Sequence, residues 1–493
     1  MTDYIATIGL ETHIQLNTKT KAFCACRADS RDDLPNTNIC PVCTGQPGAL
    51  PSPNAEMVRK ALRLCLAMHA EINRVSYFDR KNYLYADMPG GYQVTQNDQP
   101  IGVGGWLDVD LEDGRTVCVR IDNLHMEEDA GKTRNEDGVR LIDLNRAGVP
   151  LVEMVTKPDL HSADEAAVYL MRLRQLIRWI DISEGDMEKA QLRCDVNVSV
   201  APAGASRPGK KCEIKNINSI EAVRRAVNAE IKRQTGELEA GRTVEQWTIE
   251  WDDEARELRK MRSKENAVDY RFFREPNLMP VTVSEEMIRS IQAEMPELPR
   301  ERKLRFISQY GLPAYDAGLL TADRETADYF ESALEFYGGE PKRVSNWMMN
   351  EILRLMHDLE MSAEGLKIRP GDLAEIIRLV DGRTVTMATG KELIDLVQTS
   401  GKSPAEIVRE RGLAMVSNDD ALREICEKIV NDNPKEVSAY RAGKETLLGW
   451  FTGQVMRATK GKADAKRSAE ILKELLSGTR IREQGSSDIR QDR

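Results

Sequence analysis

The 493-residue chain has no run approaching the roughly 18 consecutive apolar residues that a membrane helix requires. Its start, Met1-Thr2-Asp3-Tyr4-Ile5-Ala6, lacks the basic and then apolar order of an export signal. The expectation from both absences is a cytoplasmic protein. No Gly-x-x-x-x-Gly-Lys-Ser/Thr loop occurs, which excludes a P-loop grip on nucleotide. No Gly-x-Ser-x-Gly or other nucleophile pattern surrounds the scattered cysteines. Nine cysteines is an odd number, and Cys65, Cys118, Cys194, Cys212 and Cys426 stand far apart. That excludes a disulfide framework and fits reduced thiols. Positive charge is also short. A net charge of −10 excludes a protein that coats nucleic acid with its whole surface.

What positive charge there is lies unevenly. Residues 434–493 hold 13 Lys and Arg against 8 Asp and Glu, a balance of +5, so the rest stands at −15. A basic tail on an acidic body can hold a polyanion at one end only. Apolar residues make up 41% and charged residues 30%, as in a soluble globular protein. The length allows roughly two to four domains.

Four cysteines do cluster. Cys24-x-Cys26 is followed, 13 residues on, by Cys40-Pro-Val-Cys43. Two close pairs with a polar loop between them suit tetrahedral zinc with no open position. Free buried thiols are the alternative.

Several strand-like runs carry ionisable residues on one face. Ile8, Leu10, Thr12, Ile14 and Leu16 alternate in one direction, which puts Glu11 and His13 on the opposite face. Val117, Val119 and Ile121 lead into His125-Met126-Glu127-Glu128-Asp129-Ala130-Gly131-Lys132. Successive carboxylates repel one another unless they face water or a cation. A solvated acidic turn is the simpler reading; a metal or phosphate site is the functional one. Cys194, Val196 and Val198 alternate with Arg193, Asp195, Asn197 and Ser199, which are expected to face a cleft or water. Cys212 to Asn218 repeats the pattern with Glu213 and Lys215. Arg80 to Gln93 mixes basic, aromatic and glycine residues without an apolar face, so a loop over a sheet is expected. Lys81 there can neutralise phosphate and Tyr83 can pack on a base or ribose. Leu141 to Val155 reads as a hairpin broken at Gly148-Val149-Pro150.

Helices are expected at 54–70, at 163–181 behind a Ser162-x-x-Glu165 capping box, and at 220–234. Beyond about residue 285 strand patterns vanish and amphipathic helices follow one another to about Leu476. Ser403-Pro404 and Asn433-Pro434 read as N-caps with Pro at the first helical position. The expected fold is α+β: a β-rich, largely antiparallel domain with a zinc knuckle over residues 1–290, then an all-α region over 291–405. A helical tail domain spans 406–477, and 478–493 is expected to be disordered.

These motifs, in this order, resemble the B subunit of the bacterial-type aspartyl/glutamyl-tRNA(Asn/Gln) amidotransferase, and the resemblance covers the whole chain. It is carried by Ile8-Gly9-Leu10-Glu11-Thr12-His13, the four knuckle cysteines, Arg80-Lys81-Asn82-Tyr83 and the stretch from His125 to Lys132. Arg193-Cys194-Asp195-Val196-Asn197, Glu213-Ile214-Lys215-Asn216-Ile217-Asn218-Ser219 and Asp269-Tyr270-Arg271-Phe272 complete it. The resemblance implies that ATP phosphorylates the side-chain carboxylate of Glu-tRNA(Gln) or Asp-tRNA(Asn), and that ammonia then displaces the phosphate. It further implies Glu11, His13 and Glu127 as magnesium ligands with Glu128 beside them. Lys81, Tyr83 and Lys132 would meet the nucleotide. Asp195, Asn197, Glu213 and Lys215 would line the same cleft. The tail domain would hold tRNA. The chain has no amidase Ser/Lys signature and no glutaminase Cys, so ammonia must come from elsewhere. In this family an amidase-type A subunit supplies it and a small C subunit straps the two together as a heterotrimer.

The chain departs from the family pattern at Leu84, Ala86 and Gly90, where an aromatic, a proline and a lysine are usual, and at Asn277, where Asp is usual. Those departures touch the substrate rim and leave the expected ligands intact. Some family members lack the knuckle cysteines, so zinc is not required for the chemistry. Two rival readings are a zinc-knuckle RNA-binding module without catalysis and a free-standing ATP-dependent ligase. The first explains the cysteines and the basic tail but not the recurring Glu/His, Asp/Asn and Glu/Lys faces.

Overall fold

The computed structural model describes residues 3–263, 269–415, 419–459 and 461–477. Two compact units divide at Pro299/Arg300. The tail expected to be disordered, 478–493, lies outside the described residues, as does Lys460.

The first unit is built on a ten-stranded sheet. From one edge its strands run Glu257–Ser263, Trp247–Asp252, Cys212–Ile217, Leu192–Pro202, Tyr4–Gln15, Pro150–Thr156 and Thr116–Glu128. Gly102–Val103 and Glu71–Ile72 follow, and Trp106–Asp110 also pairs with Thr116–Glu128. Every pairing is antiparallel except that of Cys212–Ile217 with Trp247–Asp252. One face is apolar because the alternating residues demand it. Ile8, Leu10, Ile14, Leu124, Met126, Val152, Met154, Val196 and Val198 are all buried there. Helices Ala55–Ala67, Ala163–Trp179 and Ile220–Glu239 cover that face with apolar stripes that include Leu62, Leu170, Ile177 and Val223. Ser162 Oγ accepts the Glu165 N–H at 3.1 Å and so starts the second helix where the capping pattern puts it. The opposite face of the sheet therefore keeps its polar side chains, among them Glu11, His13, Glu127 and Glu153.

The structure departs from expectation at four places. Arg80 to Gln93 is not all loop. Asp79–Asn82 and Tyr92–Thr95 pair with Phe273–Arg274 in a small sheet of their own. What replaces an apolar face is the Arg80 guanidinium, 4.1 Å from the Tyr92 ring centroid, 5.5 Å from that of Phe273, and paired with Glu275. Leu141 to Val155 is not one hairpin. Val139–Asp143 folds back on Lys132–Glu136, while Pro150–Thr156 joins the main sheet between two strands remote in sequence. Ser199 does not face water; it is buried and its hydroxyl donates to the Thr7 carbonyl. Asn433 precedes its helix without a side-chain cap, because its amide donates back to Ile429 O at 2.7 Å.

The second unit is helical throughout its described residues. Ser403 forms a full capping box with Glu406. Helix Pro404–Arg411 packs on Pro370–Asp381 and Met387–Ser400. The last four helices, Asp419–Asp432, Pro434–Arg441, Leu447–Ala458 and Ala465–Ser477, share a separate core of Leu422, Cys426, Phe451, Val455, Ile471 and Leu472. No helix among the described residues is long and apolar enough to cross a membrane.

One helix-to-sheet contact fixes the strand that bears Asp195 and Asn197. Beyond Val198 the partner strand Cys212–Ile217 ends, and Gln234 continues the ladder in its place. Its fully buried side chain accepts the Val200 N–H at 2.9 Å and donates to Val198 O at 2.9 Å. Gln234→Leu leaves both backbone groups orphaned. It is expected to cost roughly 2–4 kcal/mol in urea unfolding of the chain.

Candidate active site and cysteine cluster

Sheet register assembles the site. His13 lies opposite Arg193 on one side and Glu153 on the other, and Glu153 in turn lies opposite His125. Directly opposed residues of a sheet share a face. Four strands therefore present Arg193, His13, Glu153 and His125 in one row across the polar face. Glu11 pairs with Asp195 in the next row. Leu151 sits opposite both Gln15 and Glu127, which brings Glu127 in beside His13.

The distances are those of a ligand cluster. His13 Nε2 lies 3.3 Å from Glu127 Oε1 and 3.4 Å from Glu153 Oε2. His125 Nε2 lies 2.9 Å from Glu153 Oε2, and its Nδ1 lies 2.9 Å from Asn123 Oδ1. Glu11, His13 and Glu153 form one set of donor atoms within 4.8 Å of one another; His125, Glu127 and Glu153 form a second. Glu153 belongs to both.

Burial makes the electrostatics severe. It pushes the Glu11 carboxyl up to about 7, with the Glu153 charge adding to the effect. Burial also raises Glu127. It would depress His13, but the hydrogen bond to Glu153 and the Glu127 and Glu153 charges outweigh it and raise the imidazole to about 9. His125 is raised against burial by the Glu153 charge. Burial would raise Glu153, but His125 and His13 hold it well below the ordinary carboxylate range. Without a cation the site balances its carboxylates with imidazolium protons. Carboxylate oxygens and imidazole nitrogens in this number suit a hard divalent ion such as magnesium or manganese, and that ion would take over the protons' role.

The other expected residues divide. Asp195 pairs with Lys215, and Glu213 lies 3.3 Å from the same ammonium while accepting the Thr248 hydroxyl at 3.2 Å. Burial opposes the Lys215 charge, but Asp195 and Glu213 raise its pKa. Among the described residues Asn197 Oδ1 is buried with no hydrogen-bond partner, an acceptor suited to a ligand. Lys81 lies 4.9 Å from the Tyr270 ring centroid and acts electrostatically on Glu127. Tyr83 stacks edge-on with Tyr85 and Tyr270, and its hydroxyl donates to Gln93 at 3.2 Å. Glu128 points the other way, as the alternation along Thr116–Glu128 requires. Its Oε1 accepts the Val94 N–H at 3.1 Å, and it lines a cavity of ≈ 140 Å³ with Tyr92, Gly148 and Glu275. Burial there pushes it up to about 7. Lys132 starts the outer hairpin opposite Asp143, and none of the cluster's contacts involves it.

Sequence reasoning missed Glu153 and gave His125 no role. The available signal for Glu153 was a lone carboxylate in the apolar run Leu151-Val152-Glu153-Met154-Val155. Asp129 was also passed over as a holder of Arg193, at 3.1 Å.

The four knuckle cysteines converge, with all donor sulfurs within 4.8 Å of one another. Four sulfurs at that spacing fit tetrahedral zinc. Cys43 accepts the Cys40 N–H at 3.2 Å, and the hydrogen bond from Cys24 helps to bring its thiol down to about 4.

A sheet-borne row of carboxylates and histidines beside a cysteine knuckle, followed by a helical region, defines a class. Residues 6–289 match the family model of the GatB/GatE catalytic domain, and residues 328–476 match that of the GatB domain. The chain belongs to the family of aspartyl/glutamyl-tRNA(Asn/Gln) amidotransferase B subunits. Two relatives bear that name, one from Persephonella marina and one from Thermotoga maritima. Both are 44% identical to this chain. The alignments cover 95% and 96% of this chain and 98% and 99% of the relatives.

The shared position of Glu153 predicts a titration. In metal-free protein the His13 contribution to stability is fully present below its unfolded value of 6.5 and is lost as pH rises through about 9. Glu153→Gln removes the carboxylate that holds this proton. An NMR titration of the imidazole protons in chelator is expected to show the His13 pKa falling in that variant.

Proposed function

We propose that the chain activates the side-chain carboxylate of glutamate or aspartate esterified to tRNA(Gln) or tRNA(Asn), using ATP, and converts it to the amide. The substrate carboxylate oxygen attacks the γ-phosphorus, giving an acyl phosphate and ADP. Ammonia then attacks the acyl carbon, and inorganic phosphate leaves. A carboxylate is a poor acylating group at neutral pH, and its mixed anhydride with phosphate is a good one. The observation that carries this reading is the cluster of His13, His125, Glu11, Glu127 and Glu153 on the polar face of the sheet. Phosphoryl transfer asks for charge neutralisation and positioning more than for covalent help from the protein. A non-catalytic RNA-binding module has no use for such a buried, mutually repelling set.

Glu11, His13, Glu127 and Glu153 would hold magnesium, with His125 kept in orientation by Asn123. Bound there, magnesium would supply positive charge to neutralise the phosphate oxygens. Lys81 stands beside Glu127 to meet phosphate, with Tyr83 next to it to pack on nucleotide. The Lys215–Asp195 pair and the open acceptor of Asn197 lie beyond Glu11, where the aminoacyl end would be bound. Ammonia comes from a glutaminase A subunit, with a small C subunit completing a cytoplasmic heterotrimer. The names of the relatives support the tRNA substrates and the place of the chain as one subunit of several.

The last four helices would hold the tRNA body through phosphate contacts. Two of their arginines already have structural partners: Arg441 donates to Leu476 O, and Arg467 pairs with Asp419 and Glu470. Lys444, Arg457, Lys460, Lys462 and Lys466 are the other cations of this stretch that would meet RNA.

Two experiments test this reading in the assembled complex. Glu11→Ala, His13→Ala, Glu127→Ala and Glu153→Gln are each expected to lower ATP-dependent amidation by at least about 100-fold while the partner's glutaminase activity survives. Near-normal amidation in any one variant removes that residue from the site. Deletion of residues 434–493 is expected to raise the tRNA KM, leave kcat little changed and flatten the salt dependence of binding. An unchanged tRNA affinity and salt slope would mean that the basic tail is only a solvated surface.

A further inference from the structure

Lys21 is among the largest side chains in the protein that are fully buried, at 0% exposure. Lysine is almost never found so unless it is paired. Among the described residues it makes no ion pair with a carboxylate; its ammonium donates to Asn38 O at 3.1 Å and to Cys43 Sγ at 3.5 Å. A neutral carbonyl alone does not offset a buried ammonium. The compensating charge must come from the sulfur side. Four thiolates on one divalent ion leave two negative charges in a centre that burial shields from water.

We propose that Lys21 is the built-in counter-cation of the cysteine-held metal, and that it sets how tightly the metal is kept. The proposal rests on reading the four cysteines as a metal centre. Lys21 also joins that centre to the active sheet. The Ala22 N–H next to it donates to Gly148 O at 2.8 Å. Gly148 has φ +84°, and a Cβ placed there would lie 3.5 Å from Cys43 Cβ, 3.6 Å from Lys21 Cδ and 3.8 Å from Glu128 Oε2. The Gly148 loop leads directly into Pro150–Thr156, the strand that bears Glu153. Cysteine cluster, ammonium and loop therefore form one packed unit beneath the acidic end of the site. Loss of the metal leaves Lys21 as an uncompensated cation against that loop, so the metal and the lysine stabilise each other.

The test uses the full chain in its purified complex, with zinc alone as the probe. Zinc per chain is measured after purification without chelator, and affinity by competition with a colorimetric chelator. The expected wild-type content is one zinc. Lys21→Met and Lys21→Gln are each expected to weaken zinc binding at least about ten-fold, and Lys21→Arg, which keeps the charge, to retain it. The Gln variant keeps a donor for Asn38 and so separates lost charge from lost packing. Thermal unfolding gives an independent readout. Removing zinc is expected to lower Tm more in wild type than in Lys21→Met, because only wild type then holds an unbalanced ammonium. Zinc in wild type with equal affinity in the Met and Gln variants overturns the counter-cation role and leaves the metal centre standing. An equal loss of Tm with and without zinc in Lys21→Met also overturns it, since that is the mark of packing alone. No zinc in wild type overturns both.

Discussion

Glu153 is a single carboxylate shared by two half-buried histidines, and the rest of the candidate active face is arranged around it. It sits opposite His13 on one neighbouring strand and opposite His125 on the other, so its position is set by backbone register and not by loop geometry. Glu11 and Glu127 flank it close enough for the carboxylates to repel. Such a set is stable only with protons on the imidazoles or a cation among the oxygens. The first option describes the metal-free protein, and the second is the functional state in the proposed reaction. A site built from register on central strands is rigid, and that suits a reaction that depends on positioning.

The constraint extends outward in both directions along the sheet. On one side Asp195 and Glu213 share Lys215, so the cation there is neutralised within the protein. On the other, Arg193 and Arg146 meet Asp129 at 3.1 Å and 3.5 Å, next to the turn that leaves the sheet at Gly131. The cysteine cluster underlies this end, and Gly148 is the place where knuckle, Lys21 and sheet come into contact. A metal held by these cysteines would brace the acidic end of the site from outside the row of carboxylates and histidines.

Much of this was legible in the sequence because strand alternation is a strict rule. Glu11 and His13 on one face, Asp195 and Asn197 on the next strand, and two cysteine pairs at ligand spacing all follow from period and spacing alone. Glu153 did not, because a strand buried on both sides reads as a plain apolar run and its neighbours lie some 140 residues before it and about 28 before it. Pairing partners at such separations are a property of topology, which periodicity does not encode. The strand at Arg80–Lys81 was hidden for a different reason. Its stabilising contact is a guanidinium held between aromatic rings and Glu275, and no apolar alternation announces it. Glu128 shows the opposite failure, in which adjacency to Glu127 in sequence suggested a shared site that the pleat places on separate faces.

In the proposed reaction one divalent cation is held by Glu11, His13, Glu127 and Glu153. Manganese can replace magnesium as a paramagnetic probe, and pulsed electron paramagnetic resonance reads nitrogen nuclei bonded to it. The measurement is made on the complex with ATP and stoichiometric manganese, in wild type and in His13→Ala. Imidazole-nitrogen modulation in wild type that weakens or vanishes in His13→Ala is the predicted result. A manganese signal coupled only to phosphorus and water, and identical in the two proteins, would contradict the account.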